Sequence, residues 1–253
     1  MRISFGTVQK TTWREPRDRA HPRCACWRRH ETDGTACLRF TSWVRSNVSE
    51  SDRGGKLSAK RLERRQDILA AATVLFSRQG YHATGVAELS EAVGLGAGAL
   101  YHHMGSKEEL LYDVCAPAIR AVLDFGPELL AMNANAEEKI RLLARRHMRN
   151  VHERQLELRI ALREVDSLTG QRGHDMQELR DATENLWEDI IDQGVESGEL
   201  SNVTPLFVKF LLGALNYTVI WYDRDGALSP DEIADQVVEM VLTNPAHGIA
   251  PSG

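Results

Sequence analysis

The chain has 253 residues, 42% of them hydrophobic, enough to build a substantial core in one large or two modest domains. Its formal charge of −5 hides an asymmetry: residues 1–65 carry 16 basic and 7 acidic side chains and the remainder 15 and 29, so only the N-terminal part suits a polyanion. Four cysteines, three of them before position 40, exclude a disulfide framework, and the most apolar stretch, 206–222, is broken by Lys209 and Asn216, which argues against a membrane span.

Residues 1–55 mix Arg, Trp, Pro and Cys without helical or strand periodicity and end in a polar run from Ser49 to Gly55. They read as a disordered extension, or as lying upstream of a natural start near Val48. They have no apolar core followed by a small-residue cleavage site, so a secretory signal is not supported and a cytoplasmic location is expected. His21, Cys24, Cys26, His30 and Cys37 are metal-ligand types, but Cys-x-Cys lacks the spacing of a zinc knuckle, and no metal site or cofactor is expected.

From Leu57 the pattern becomes helical. Ile68, Ala72, Leu75 and Phe76 share one face, Arg61, Arg64 and Arg65 precede them, and Gly80 marks a stop. Thr84-Gly85 leads into a short helix with Val86, Leu89 and Val93 on one side, and Gly94 supplies a tight turn before a third short helix, Ala97 to His103. Ser106 and Glu109 form a capping box that opens a long helix. Further helices are expected at 136–153, 155–168 and 171–197, the last with Leu179, Leu186, Ile190 and Val195 as its stripe. Thr204-Pro205 and Ser229-Pro230 start two terminal helices, the first apolar around most of its circumference and the second burying Ile233, Val237, Met240 and Val241. The expected fold is therefore all-α: a three-helix unit over 56–112, a larger helical domain over 113–245 and a flexible tail over 246–253.

Two short helices joined by a glycine turn behind a longer helix have the layout of a helix-turn-helix, although any helical bundle contains such pairs. The residues carry more. Val93-Gly94-Leu95, Leu100-Tyr101-His102-His103 and Ser106-Lys107-Glu108-Glu109-Leu110, with the preceding 70–81 segment, resemble the signature of the tetracycline-repressor family, and the likeness extends from Arg61 to Leu111. The resemblance implies a dimeric regulator of transcription, most readily a repressor, that binds double-stranded operator DNA and responds to a small molecule. It implies that Tyr101 touches a phosphate through its hydroxyl and that Lys107 meets the DNA backbone; the other reading of Tyr101 is a packing residue. Thr84, Ala97, Gly98, Ala99 and His102 complete the expected groove-facing set.

The sequence departs from that signature at three places: Gly96 replaces the usual serine cap, Ala99 a hydroxyl residue and Met104 the phenylalanine of the small core. With alanine and glycine at the tip, hydrogen-bonded base reading is poor, though alanine can touch a thymine methyl. Lys56, Lys60, Arg61, Arg64 and Arg65 are expected to compensate by contacting phosphates, against the reading that they form a solvated face.

Beyond Cys115 the reading rests on pattern. Leu206, Phe210, Leu211, Ala214, Val219, Val237 and Val241 are the expected dimerisation residues, the alternative being an intrachain core. Phe125, Met148, Leu162, Trp187, Tyr217 and Trp221 are the candidates for a pocket between the middle helices. The segments Trp187–Leu200 and Trp221–Pro230 are similar to sensing domains of actinobacterial repressors of sterol and fatty-acid catabolism, which implies an acyl or steroid coenzyme A thioester, or a steroid-like acid, as effector. Arg141, Arg145, Arg146 and Arg149 are either partners for its phosphates or a solvated face. An effector acts by favouring the DNA-incompetent arrangement, with the helix that begins at Ser106 as the lever. An enzyme is not expected: His147 with His152 and His174 with Asp175 match no catalytic or metal signature. A helical adaptor without DNA binding is the alternative.

Overall fold

A computed structural model describes residues 59–201, 203–204 and 206–242. Among them are ten α-helices, one 3-10 turn and no strand. The first is α1 (Ala59–Gln79), whose buried face of Ile68, Ala72 and Phe76 is the one that the sequence spacing picks out. Gly80, at φ 95°, ends it in a left-handed conformation that a side chain resists. Across it lie α2 (Val86–Val93) and α3 (Ala97–Met104), followed by α4 (Lys107–Leu123). The capping box at the start of α4 is formed: the Glu109 amide donates to Ser106 Oγ and the Ser106 amide to Glu109 Oε2, both at 3.0 Å.

The helix α4 runs without a break through the expected domain boundary at residue 112. Behind it come a single turn and a half, α5 (Gly126–Ala131), which sequence periodicity does not reveal, and α6 (Ala136–Glu153), capped by Asn135. Next is α7 (Gln155–Glu164), which gives way to a 3-10 turn at Val165–Ser167, where the Leu168 amide bonds the Val165 carbonyl. The expected single helix over 155–168 is therefore shorter, because the chain tightens before Gly170, at φ 50°. The long α8 (Gly170–Glu196) follows, then α9 (Phe207–Trp221) and α10 (Pro230–Leu242). Ser229 and Glu232 cap α10 reciprocally.

The arginines of α6 set its register against α10. Arg141 reaches Glu239 at 2.6 Å, Arg145 holds both oxygens of Asp235 at 2.8 and 2.7 Å, and Arg149 does the same to Asp231 at 2.8 and 2.5 Å. Positions rising by four on one helix meet positions falling by four on the other, so the pair is antiparallel. These pairs are half-exposed and each adds little stability; their use is to fix register. Arg146 donates to the Ala121 carbonyl of α4. All four arginines thus have partners within the chain while remaining partly open to solvent, Arg149 most of all. Gly194 of α8 lets that helix approach α6 closely: a Cβ there would lie 2.5 Å from that of Ala136. The expected stripe on α8 holds for Leu179, Leu186 and Ile190, but Val195 is exposed, as is Met240 on α10.

Candidate nucleic-acid interface and inner cavity

The turn between α2 and α3 is built by Gly94, which takes φ 64° and ψ 36°; the Leu95 amide reaches back to the Ser90 carbonyl at 2.9 Å and closes the end of α2. Gly96 then caps α3 with extended backbone and no side-chain hydrogen bond, so the serine absent here leaves that task undone. Leu100 and Met104, fully buried, anchor α3 against the core, and Met104 fills the place where the signature has phenylalanine. Opposite them Ala97, Gly98, Ala99, Tyr101 and His102 are exposed, Tyr101 to 48%. This outward face is short-sided and neutral near its tip, with an aromatic hydroxyl and an imidazole one turn on.

The basic residues beside it divide into available and committed groups. Arg61 is exposed, and half-exposed Arg64 makes a loose contact with Asp67 at 3.6 Å. Arg65 is committed: it donates to the His103 carbonyl at 2.6 Å and forms an ion pair with Asp113, tying α1 to α3 and α4. Burial raises the pKa of Asp113, and the Arg65 charge opposes that rise. Lys107 sits half-buried with its ammonium 4.3 Å from the centre of the Tyr81 ring, and burial lowers its pKa against the pull of Glu164. Thr84 is wholly buried; its hydroxyl donates to the Gly80 carbonyl at 2.8 Å, so its side chain serves the turn after α1 rather than any surface. Lys56 and the side chain of Lys60 lie outside the described residues, as do the extension, the tail and the five early His and Cys positions.

Deeper in the chain, α4, α6, α7, α8 and α9 line a cavity of about 380 Å³ that is partly open to solvent. Its wall is mainly apolar, with Val122, Leu158, Leu162 and Val219 among its residues, and Arg180 and Lys209 lie toward solvent. Two of its polar residues are buried, His147 and Asn150, one turn apart on α6. Neither ring nitrogen of His147 has a hydrogen-bond partner among the described residues. Asn150 donates its amide to the Ala118 carbonyl at 2.7 Å, while its oxygen is unpartnered. Burial brings the His147 pKa down to about 4, so the imidazole is neutral near pH 7, able to give one hydrogen bond and accept another.

The cavity wall is joined to the helix-turn-helix. Arg163, between the lining residues Leu162 and Val165, donates to the Phe76 carbonyl at the end of α1 and to Glu164. Ser167 meets His82 at 2.9 Å, and the Thr169 hydroxyl donates to Glu108 of α4 at 2.9 Å. Arg172 lies over the Tyr112 ring and 3.8 Å from Glu109. On the outer side, α9 and α10 expose an apolar face in which Leu206, Phe210, Tyr217, Trp221 and Met240 are each more than half exposed.

Two family descriptions match the chain: bacterial regulatory proteins of the tetR family over residues 68–114, and a tetracyclin repressor-like C-terminal domain over 133–244. A solved TetR family transcriptional regulator, PfmR from Thermus thermophilus, is 32% identical, with a TM-score of 0.65; the match covers 70% of this chain and 98% of that one. The chain belongs to the tetracycline-repressor family. Membership makes it a DNA-binding transcriptional regulator rather than an enzyme. The transcriptional repressor KstR2 of Rhodococcus jostii is 28% identical over 71% of this chain and 89% of its own length. A crystal structure of AibR in complex with isovaleryl coenzyme A and operator DNA is 26% identical with a TM-score of 0.62, over 70% of this chain and 97% of that one.

In this tetracycline-repressor-type regulator the expected site residues are sorted differently from the sequence reading. Of the six pocket candidates, only Leu162 lines the cavity. Met148 and Trp187 are packed in the core at 0% exposure, Phe125 lies at the α4–α5 corner, and Tyr217 and Trp221 are on the outer face of α9. Among the expected dimer residues, Leu206 and Phe210 are exposed and Ala214 and Val237 partly so, but Leu211, Val219 and Val241 are buried within the chain. The apolar circumference of α9 thus serves two surfaces at once. His147 and Asn150 were legible only as polar interruptions on the buried face of α6 that Ile140, Leu143, Ala144 and Val151 define.

No helix among the described residues is long and apolar enough to cross a membrane, and none of their His, Cys, Asp or Glu side chains cluster as a metal site.

Proposed function

We propose that this regulator is a cytoplasmic repressor that binds operator DNA as a homodimer and is released when an acyl coenzyme A thioester places its acyl group in the inner cavity. The observation that carries the reading is the exposed face of α3, held by buried Leu100 and Met104 and continued by Arg61 and Arg64. Small residues at Ala97, Gly98 and Ala99 allow the helix to sit deep in a major groove, touching thymine methyls. Tyr101, His102, Arg61 and Arg64 then supply hydrogen bonds and charge to phosphates and base edges, with Lys107 adding its charge from the start of α4. A helical adaptor would have no use for this surface.

The second copy is supported by the outer face of α9 and α10. Phe210, Ala214, Tyr217 and Trp221 recur every three or four residues along one side of α9, where water is an unfavourable neighbour for so much aromatic area. The acyl thioester is supported by the cavity, whose size lies within the range of small-molecule sites, and by the ligand named for AibR. Release would travel through α7: a guest that displaces Leu162 or Val165 moves Arg163, which grips the end of α1. The lever is then α7 together with α4.

The test is selection of duplexes from a random pool by the purified chain, followed by titration of a selected duplex with and without isovaleryl and octanoyl coenzyme A. The expected result is a two-fold symmetric site whose affinity falls on adding a thioester. Absence of any selected sequence, or affinity indifferent to every thioester, would remove the reading.

A further inference from the structure

Lys107 carries a charge that the chain holds in place without pairing it. It is the first residue of α4, three places beyond Met104 at the end of α3, and it is partly exposed. The carboxylates beside it are occupied: Glu108 accepts from the amide and hydroxyl of Thr169, and Glu164 accepts from Arg163. Among the described residues the Lys107 ammonium has no ion pair or hydrogen bond, and it lies instead over the Tyr81 ring, 4.3 Å from its centre. The negative charge of the ring face attracts the cation but covers only one side of it, so N–H groups on the far side are free for another acceptor. The ring itself is braced. Tyr81 follows Gly80, whose φ of 95° sets the turn after α1, and it meets buried Phe76 edge to face with the ring centres 5.5 Å apart. Its hydroxyl has no hydrogen bond among the described residues, so the fold employs the ring rather than the oxygen.

A lysine that is ordered only on binding gives up rotamer freedom at that moment, a cost that a side chain already held in place does not incur. From this geometry we propose that Tyr81 is a positioning residue for DNA binding: its ring holds the Lys107 ammonium in advance, so that the free N–H groups meet a backbone phosphate. The proposal rests on Lys107 meeting DNA, as proposed above, and adds the group that fixes where it does so. A phosphate contact orients the duplex and carries no sequence information of its own, so the contribution of Tyr81 should be the same on every duplex.

Fluorescence anisotropy of the full chain on a selected operator duplex, at several salt concentrations, tests this through a double-variant cycle. Lys107→Gln should weaken binding and lower the salt slope by about one, as loss of a single phosphate contact does. Tyr81→Leu should weaken binding by about two- to tenfold, the range for ordering one long side chain, and should add nothing in the Lys107→Gln background. Tyr81→Phe keeps the ring and should bind as the unaltered chain does. Pentafluorophenylalanine at position 81 keeps the shape of the ring but reverses the charge of its face; it should bind more weakly than Tyr81→Phe, and it decides the question if Tyr81→Leu does not fold. Equal losses from Tyr81→Leu with and without Lys107, or equal binding by the fluorinated and plain rings, would mean that the ring acts only on the fold and would overturn the proposal. A loss in Tyr81→Phe would transfer the role to the hydroxyl and overturn it as well. An unchanged affinity and salt slope in Lys107→Gln would overturn both the phosphate contact and its positioning, while leaving the exposed face of α3 as the element that enters DNA.

Discussion

The helix-turn-helix and the sensing bundle differ in how far apart in sequence their decisive residues lie. In the first, each boundary is set within four residues: Gly80 and Gly94 reverse the chain, Ser106 and Glu109 cap α4, and Leu100 and Met104 are one turn apart. In the second, the cavity takes its walls from five helices between Ala118 and Val219, and no local signal says which apolar residue faces the void. A reading unit made of local contacts can keep its shape while the bundle behind it varies. A sensing unit made of distant contacts changes whenever any wall changes.

Breaking each region's core should therefore give different failures. Leu100→Ala removes the buried anchor of α3 and should cost about 2–5 kcal/mol, with DNA binding lost. Thioester binding by the bundle is expected to survive, which calorimetry at low temperature can check. Loss of both together would mean that the two regions fold as one unit.

The next largest effect concerns acid. His147 is held near pKa 4 by burial, below the value of about 6.5 of an unfolded chain, so the unfolded state binds more protons between those limits. Stability should then be fully present above about pH 6.5 and fall by about 3 kcal/mol as the pH drops toward 4. Urea titrations across that range should show a shallower slope for His147→Leu, and an unchanged slope in that variant would contradict the assignment.

A smaller effect sharpens the link between the regions. Arg163→Ala removes the hydrogen bond to the Phe76 carbonyl, a charged interaction worth about 1.5–3 kcal/mol at most and less here because the side chain is 44% exposed. The variant should bind thioester normally and lose about tenfold of its effect on operator affinity. Unimpaired release would leave α4 alone as the lever.

Much of the reading unit was legible in the sequence because caps, glycine turns and a family signature are local. Even there, Thr84 was misplaced, since a threonine ahead of a helix looks the same whether its hydroxyl faces a phosphate or the carbonyl of Gly80. Arg65 likewise reads as one more member of a basic run, and its use depends on Asp113, 48 residues away. In the bundle, helix positions were legible but facing was not. An aromatic residue on an apolar helix carries no mark that separates the core of Trp187 from the outer face of Tyr217 or Trp221. Histidine and asparagine on α6 offered a signal that the sequence reading left unused, because polar groups on a buried face require a reason.

The most direct test introduces charge at the tip of α3 without touching the core. Ala97 and Ala99 are exposed, so Ala97→Glu with Ala99→Glu should leave the circular dichroism spectrum and thioester binding intact. Fluorescence anisotropy on a selected operator duplex should then show affinity lowered by about a hundredfold or more, since two carboxylates would face the phosphates and base edges of the groove. Affinity equal to that of the unaltered chain would contradict the assignment of α3 as the element that enters DNA.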